Sequence, residues 1–97
     1  TMYNKERWLP TTIQKVWEKA VYVSAENDAN GFRKDVCGKW MQFDQHGNRD
    51  ALYGWEIDHI KPVALGGSDI PVNLQPLHWK NNVGKGDSIL WKCTVRA

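Results

Sequence analysis

No run of 18 apolar residues occurs in the 97-residue chain, so no membrane-spanning helix is predicted. The start, TMYNKERWLP, lacks the apolar core of a secretory signal, and the Thr ahead of Met2 reads as a cloning remnant. Cysteine is scarce. Cys37 and Cys93 are too few for a disulfide framework. Spacing alone does not reveal whether the two could pair, and two reduced, partly buried thiols in a cytoplasmic protein are expected. There is no internal repeat, low-complexity tract or linker, which leaves one domain over residues 1–97. Charge of one sign is also lacking. Thirteen Lys and Arg against eleven Asp and Glu give +2, with no basic block. That balance permits nucleic-acid binding without demanding it.

Aromatic residues, by contrast, are plentiful: six Trp, three Tyr and two Phe. A chain this short buries only roughly two-thirds of its unfolded surface. A large ring buries about 150–250 Å², so a few rings could close a small core. Most of the Trp are expected to be structural, with a minority free to stack on a ligand base.

The segment TTIQKVWEKA predicts a helix, with Ile13, Val16, Trp17 and Ala20 on one apolar stripe. Thr11 and Gln14 fit a capping box, with Pro10 just outside it. SAENDANGF reads as a loop with a turn at Asn30-Gly31. RKDVCGKWMQFD is a strand candidate broken near Cys37-Gly38, and LYGWEIDHI is a second. The two could pair as a hairpin. NLQPLHW is a short strand that Pro76 confines to an edge. KNNVGKGD is helical in part, though Gly84 and Gly86 weaken it. SILWKCTVRA alternates like a final strand. Strands and helices mix without a repeating order, which indicates an α+β fold.

Within GWEIDHIKP, Gly54 to Pro62, Asp58 and His59 stand side by side at a strand end. Strand neighbours point to opposite faces, which disfavours a direct Asp–His hydrogen bond between them. Two separate jobs fit better. A carboxylate binds a hard cation through oxygen, and a neutral imidazole takes a proton from water near pH 7. Beside a phosphate, these are the parts of metal-assisted hydrolysis. The pair alone is weak evidence, since an exposed Asp-His at a strand end is common.

The continuation adds much. Asn73 follows His59 by fourteen residues, Asn82 follows nine later, and Lys85 three after that. The run from Glu56 to Asp87, EIDHIKPVALGGSDIPVNLQPLHWKNNVGKGD, is about a third of the chain. It resembles the HNH endonucleases, the ββα-metal nuclease family, through E-x-D-H-I-x-P, G-G-S-D, N-L-Q-P-L and N-x-x-K-G-D in order. The resemblance implies a ββα-metal core at about 54–87, a two-stranded antiparallel hairpin plus a helix, with the N-terminal helix as scaffold. It implies that His59 is the general base and that Asp58 is a metal ligand. It also implies that Asn73 ties down the loop that orients His59. Asn82 stands where the last His of the motif is expected, an HNN variant, and would bind metal through its side-chain carbonyl. His78 also spells H-N-H with His59 and Asn73, but it lies only five residues past Asn73. His78 and Asn82 are four apart and could share a helical face; family spacing makes Asn82 the ligand, with His78 the alternative. Lys85 matches a basic position near phosphate, or is a solvated lysine. Glu56 supports the metal ligands, or is charged surface.

Asp58 with Asn82 would be an oxygen-only set suited to one Mg²⁺ or Mn²⁺ ion; His78 would favour Zn²⁺ or Ni²⁺. Cleavage would fall at low pH, where a protonated imidazole cannot act as base. Many members of the family carry two C-x-x-C pairs around a structural zinc. The matching places here read CGKW and HWKN, so no structural zinc is expected, and Trp40 with neighbouring aromatics would pack in its stead. The implied substrate is DNA. Phosphate contacts, which position without specifying, could come from Arg33, Lys34, Lys39, Arg49, Lys61, Lys80, Lys85 and Lys92. No base-reading module stands out, so weak sequence preference is expected. The alternatives are a catalytically silent nucleic-acid-binding module of the same fold and a zinc-stabilised interaction domain.

Overall fold

The computed structural model describes residues 3–97; the Thr1–Met2 start, with its reading as a cloning remnant, lies outside them. Helix α1 (Pro10–Trp17) begins one residue before the expected capping box. Leu9 is its N-cap and makes no side-chain capping bond. Pro10 serves instead as the first helical residue, where its missing N–H costs nothing and its φ is preset. The apolar stripe forms as expected. Val16, Trp17 and, just past the helix, Ala20 are buried, with Ile13 packed beside them.

The SAENDANGF segment is not wholly a loop. Ser24 Oγ accepts the Asn27 N–H at 3.1 Å and caps a short helix, α2 (Ala25–Ala29). Gly31 then takes the left-handed φ that the Asn30-Gly31 signal anticipated.

The expected hairpin is corrected. RKDVCGKWMQFD does not pair with LYGWEIDHI; it folds on itself. Strands β1 (Phe32–Lys34) and β2 (Trp40–Gln42) pair antiparallel, Arg33 opposite Met41. The turn between them is built by Asp35. Its Oδ1 accepts the N–H groups of Cys37 and Lys39, each at 2.9 Å, and Gly38 supplies a left-handed φ of 85°. That leaves β3 (Trp55–His59) to pair with β4 (Leu74–His78), with Ile57 opposite Pro76. Among the described residues strand β4 pairs with no second strand, which is why Pro76 fits at its middle. Helix α3 (Trp79–Lys85) follows directly. Strands β3 and β4 with α3 form the two-strands-and-helix core expected of the α+β fold.

The β3–β4 hairpin has two distinct faces. Trp55, Ile57 and Leu74 join Trp8, Val16, Trp17 and Met41 in the apolar core, with Trp17 and Trp55 rings 5.1 Å apart. Glu56 and Asp58 lie on the opposite face, toward α3.

The last ten residues form no strand, contrary to expectation. The buried Asn81 of α3 intercepts their backbone: its Oδ1 accepts the N–H groups of Thr94 (2.8 Å) and Val95 (2.9 Å), and its Nδ2 donates to Val95 O at 2.9 Å. Gly84 makes room for this tail, since a Cβ there would collide with Thr94. The cysteines are not free thiols. Cys37 and Cys93 form a disulfide across 56 residues, with Cα atoms 5.8 Å apart. The cytoplasmic expectation loses the thiol argument beneath it, because disulfides persist in oxidising surroundings. Among the described residues no helix is long and apolar enough to cross a membrane.

Packing by Trp40 does not tie the CGKW region to HWKN. Asp35 Oδ2 accepts from His78 N–H (3.0 Å) and Asn81 Nδ2 (2.9 Å), and the disulfide closes the other side. Trp40 stacks instead under Lys34 and against Phe32 at the edge of the first hairpin.

Candidate active site

A cleft of about 440 Å³ opens at the C-terminal end of β3. Asp58, His59 and Asn82 line it together, with Tyr3, Arg7 and Trp8 from the N-terminal segment. Alternation sends Asp58 and His59 to different faces of β3, yet both reach the cleft because the strand ends there.

Asp58 is 5% exposed. Its Oδ2 accepts from Gln75 Nε2 across the hairpin at 2.9 Å, and its Oδ1 lies 3.1 Å from Lys85 Nζ. Burial holds its carboxyl above the usual carboxylate range, against the pull of Gln75 and Lys85. Lys85 is neither solvated nor at the surface. It is 2% exposed, pairs with Asp58 and donates to His59 O at 2.9 Å, so α3 clamps the end of β3.

Glu56 is not charged surface either: it is fully buried. Arg49 grips it with two bonds, Nε to Oε2 at 2.6 Å and Nη2 to Oε1 at 2.9 Å. Asn82 Nδ2 donates to the same Oε1 at 2.7 Å. A carboxylate bonded this way only accepts, so the amide nitrogen of Asn82 must face it. The amide oxygen is thereby left to the cleft.

Asn73 does not line the cleft. Its side chain bonds Lys61 N–H (2.8 Å), Lys61 O (3.1 Å) and Ser68 O (2.8 Å), and its own carbonyl accepts from Ile60 N–H at 2.8 Å. It therefore ties both ends of the loop between β3 and β4. Gly67 is required there, since a Cβ would collide with Lys61 O.

His78 also stands outside the cleft. Its Nδ1 accepts the Lys80 N–H at 3.1 Å and caps α3, while Nε2 donates to Leu52 O at 2.9 Å. Both ring nitrogens are used, an Nδ1 that accepts requires a neutral ring, and burial lowers its pKa. His59, in contrast, makes a single ring hydrogen bond among the described residues. Its Nε2 lies 2.6 Å from Asp69 Oδ1, and this bond holds the Asp69 carboxyl below its ordinary range.

The carboxylate and amide side chains lining the cleft are Asp58, Asp87, Asn82 and Asn4, and both Asp58 oxygens already have protein partners. Among the described residues no cluster of three His, Cys, Asp or Glu could hold a metal ion. Oxygen donors in an open cleft suit a hard cation that keeps several waters better than a closed zinc site.

The HNH endonuclease family description matches residues 36–88, more than half of the chain. The chain belongs to the HNH endonuclease family. No curated protein matches it, and no solved structure does.

The HNH segment contains β2, β3, β4 and α3, while α1, α2, β1 and Cys93 of the tail lie outside it. Of the eight basic residues expected near phosphate, Arg33, Arg49 and Lys85 are already ion-paired, and Lys61, Lys80 and Lys92 are exposed. Sequence reasoning missed the half-buried Gln75 and the buried Asp35, and it saw Arg49 only as a candidate phosphate contact. It also missed Arg7 and Trp8, whose place at the cleft has no local signal. Asp69 had one: it closes the G-G-S-D motif.

Proposed function

We propose that this HNH protein is a metal-dependent DNA endonuclease with weak sequence preference, its 97 residues acting as one unit. The observation that carries the reading is the convergence of Asp58, His59 and Asn82 on one cleft. In this reading His59 takes a proton from water. The water oxygen attacks phosphorus in line, the bond to the 3′-oxygen breaks, and that oxygen leaves and is protonated by solvent. The products carry a 5′-phosphate and a 3′-hydroxyl. Asp58 and Asn82 would hold one Mg²⁺ or Mn²⁺, which when bound supplies positive charge against the reacting phosphate. Glu56 and Arg49 keep the Asn82 oxygen turned outward. Asn73 holds the loop that flanks His59.

A silent nucleic-acid-binding module is the second reading. What favours it is that both Asp58 oxygens already have protein partners, Lys85 and Gln75. Cleavage of supercoiled plasmid with Mg²⁺, Mn²⁺, Ni²⁺, Zn²⁺ or EDTA separates the two. The nuclease reading expects nicking or linearisation that needs metal, is lost in His59→Ala, and falls strongly in Asn82→Ala. His78→Ala should keep cleavage at temperatures where it is folded. Folded wild type that fails to cut with every one of these metals would establish the silent module, and loss in His78→Ala alone would overturn the Asn82 assignment.

A further inference from the structure

Beside the cleft, His59 is joined to three residues that have had no role so far. His59 Nε2 bonds Asp69 Oδ1 at 2.6 Å, and Asp69 Oδ2 in turn accepts from Arg7 Nη2. The Arg7 guanidinium lies over the Trp8 ring, 4.5 Å from its centre, and the Trp8 ring packs against the His59 ring at 5.7 Å. Four side chains thus close a circuit. Two come from the N-terminal segment, one from the β3–β4 loop and one from the end of β3. Arg7 and Trp8 lie well outside residues 36–88, while His59 and Asp69 lie within them, so the N-terminal segment braces a pair inside the family segment.

The chemistry of the circuit is specific. A carboxylate only accepts, so the proton between Asp69 and His59 sits on Nε2. In the neutral ring the lone pair is then on Nδ1, and among the described residues Nδ1 has no hydrogen-bond partner. We propose that Asp69, braced by Arg7 and Trp8, is the positioning residue that locks His59 in the Nε2–H tautomer and leaves Nδ1 to act as the base. The proposal rests on the nuclease reading for its effect on rate, but the tautomer itself does not depend on turnover. It also answers why the adjacent Asp58 does not orient His59: the orienting carboxylate is supplied ten residues later, across the loop.

The test compares wild type, Asp69→Ala, Asp69→Glu and Arg7→Ala by two measurements. The first is the ¹⁵N spectrum of the His59 ring at about pH 8.5, well above the ordinary imidazole value of about 6.5. Wild type should show a single Nε2–H tautomer. Asp69→Ala should show a mixture with Nδ1–H, and Asp69→Glu should restore most of the single form. The second is plasmid cleavage with Mg²⁺, read as kcat and KM separately. Asp69→Ala should lose roughly 10- to 100-fold in kcat with KM nearly unchanged, less than the roughly 100- to 10,000-fold expected for the base itself. Arg7→Ala should lose less, and Asp69→Glu should recover part. The proposal is overturned by a tautomer unchanged in Asp69→Ala, by a loss confined to KM, or by a rise in rate, which would mean that Asp69 masks the base. If wild type cuts nothing, the nuclease reading fails while the spectrum still decides whether Asp69 locks the ring.

Discussion

Breaking the Cys37–Cys93 disulfide should cost much of the protein's stability while leaving its native structure in place. The bond closes a loop across 56 residues. In the chain-entropy account, a loop that long removes about 14 cal/mol/K from the unfolded ensemble, or about 4 kcal/mol at 25 °C. A domain of this size has a total stability of about 5–15 kcal/mol. The native tail has other anchors: the Asn81 side chain bonds Thr94 and Val95, and Lys39 Nζ donates to Ala97 O at 3.2 Å. The loss should therefore come chiefly from a freer unfolded chain. Thermal and urea melts of oxidised wild type and the Cys37→Ala/Cys93→Ala double variant would measure it. The variant should melt roughly 15–30 °C lower, with an unchanged native spectrum and a steeper urea dependence, because its unfolded state exposes more surface. Coincident melts, or two titratable thiols in native protein purified without reductant, would refute the reasoning.

Two further outcomes concern buried charge. Lys85→Met should cost about 3–5 kcal/mol in urea unfolding, because it strands the Asp58 carboxylate without its partner in a buried site. A cost below about 1 kcal/mol would show that Asp58 finds its compensation elsewhere. His46 sets a pH dependence. Burial beside Trp55 and Tyr3 lowers its pKa from the ordinary 6.5 to about 4. Above pH 6.5 the ring is neutral in both states and the contribution is whole. Between 6.5 and about 4 the unfolded chain takes up a proton that the native ring refuses, so stability falls as pH falls, and below 4 that contribution is gone. His78 moves the same way. The readout is therefore the difference in urea midpoint between wild type and His46→Gln from pH 7 to 4, which should narrow across that window. A constant difference would mean that His46 is not buried neutral.

What was legible in the sequence follows the range of each interaction. The α1 stripe and the strand around Ile57 depend on local period, which survives folding; Asp58, His59, Asn73 and Asn82 were singled out through the family resemblance, and the fold brings Asp58, His59 and Asn82 to one cleft with Asn73 tying the loop beside it. Strand pairing failed where one side chain reset the chain's direction. Nothing in RKDVCGKW marks Asp35 as the residue that gathers N–H groups from its own turn and from His78, and without it the hairpin is not seen to fold on itself. The terminal strand failed for a similar reason, since Asn81 takes the backbone groups that a sheet edge would need. The cysteines were misjudged because 56 residues of separation carry no information on proximity.

Glu56 and Asp58 show the deeper limit. Alternation put them on one face of β3, and two acids on one face ordinarily mean a solvated face. Here that face is covered by α3, and the two acids are almost wholly buried. Burying either alone is prohibitive, so each is matched: Glu56 by Arg49 from the preceding loop, Asp58 by Lys85 from α3. The matching also divides the labour. Arg49 and Glu56 form a bidentate pair whose spare capacity orients the Asn82 amide, a role that fixes geometry. Lys85 bonds both Asp58 and the His59 carbonyl, a role that fixes where β3 ends. A stripe of acids facing a helix that carries Asn and Lys three residues apart thus encodes a buried polar seam. The polarity that made this face look like surface is what builds the floor of the cleft.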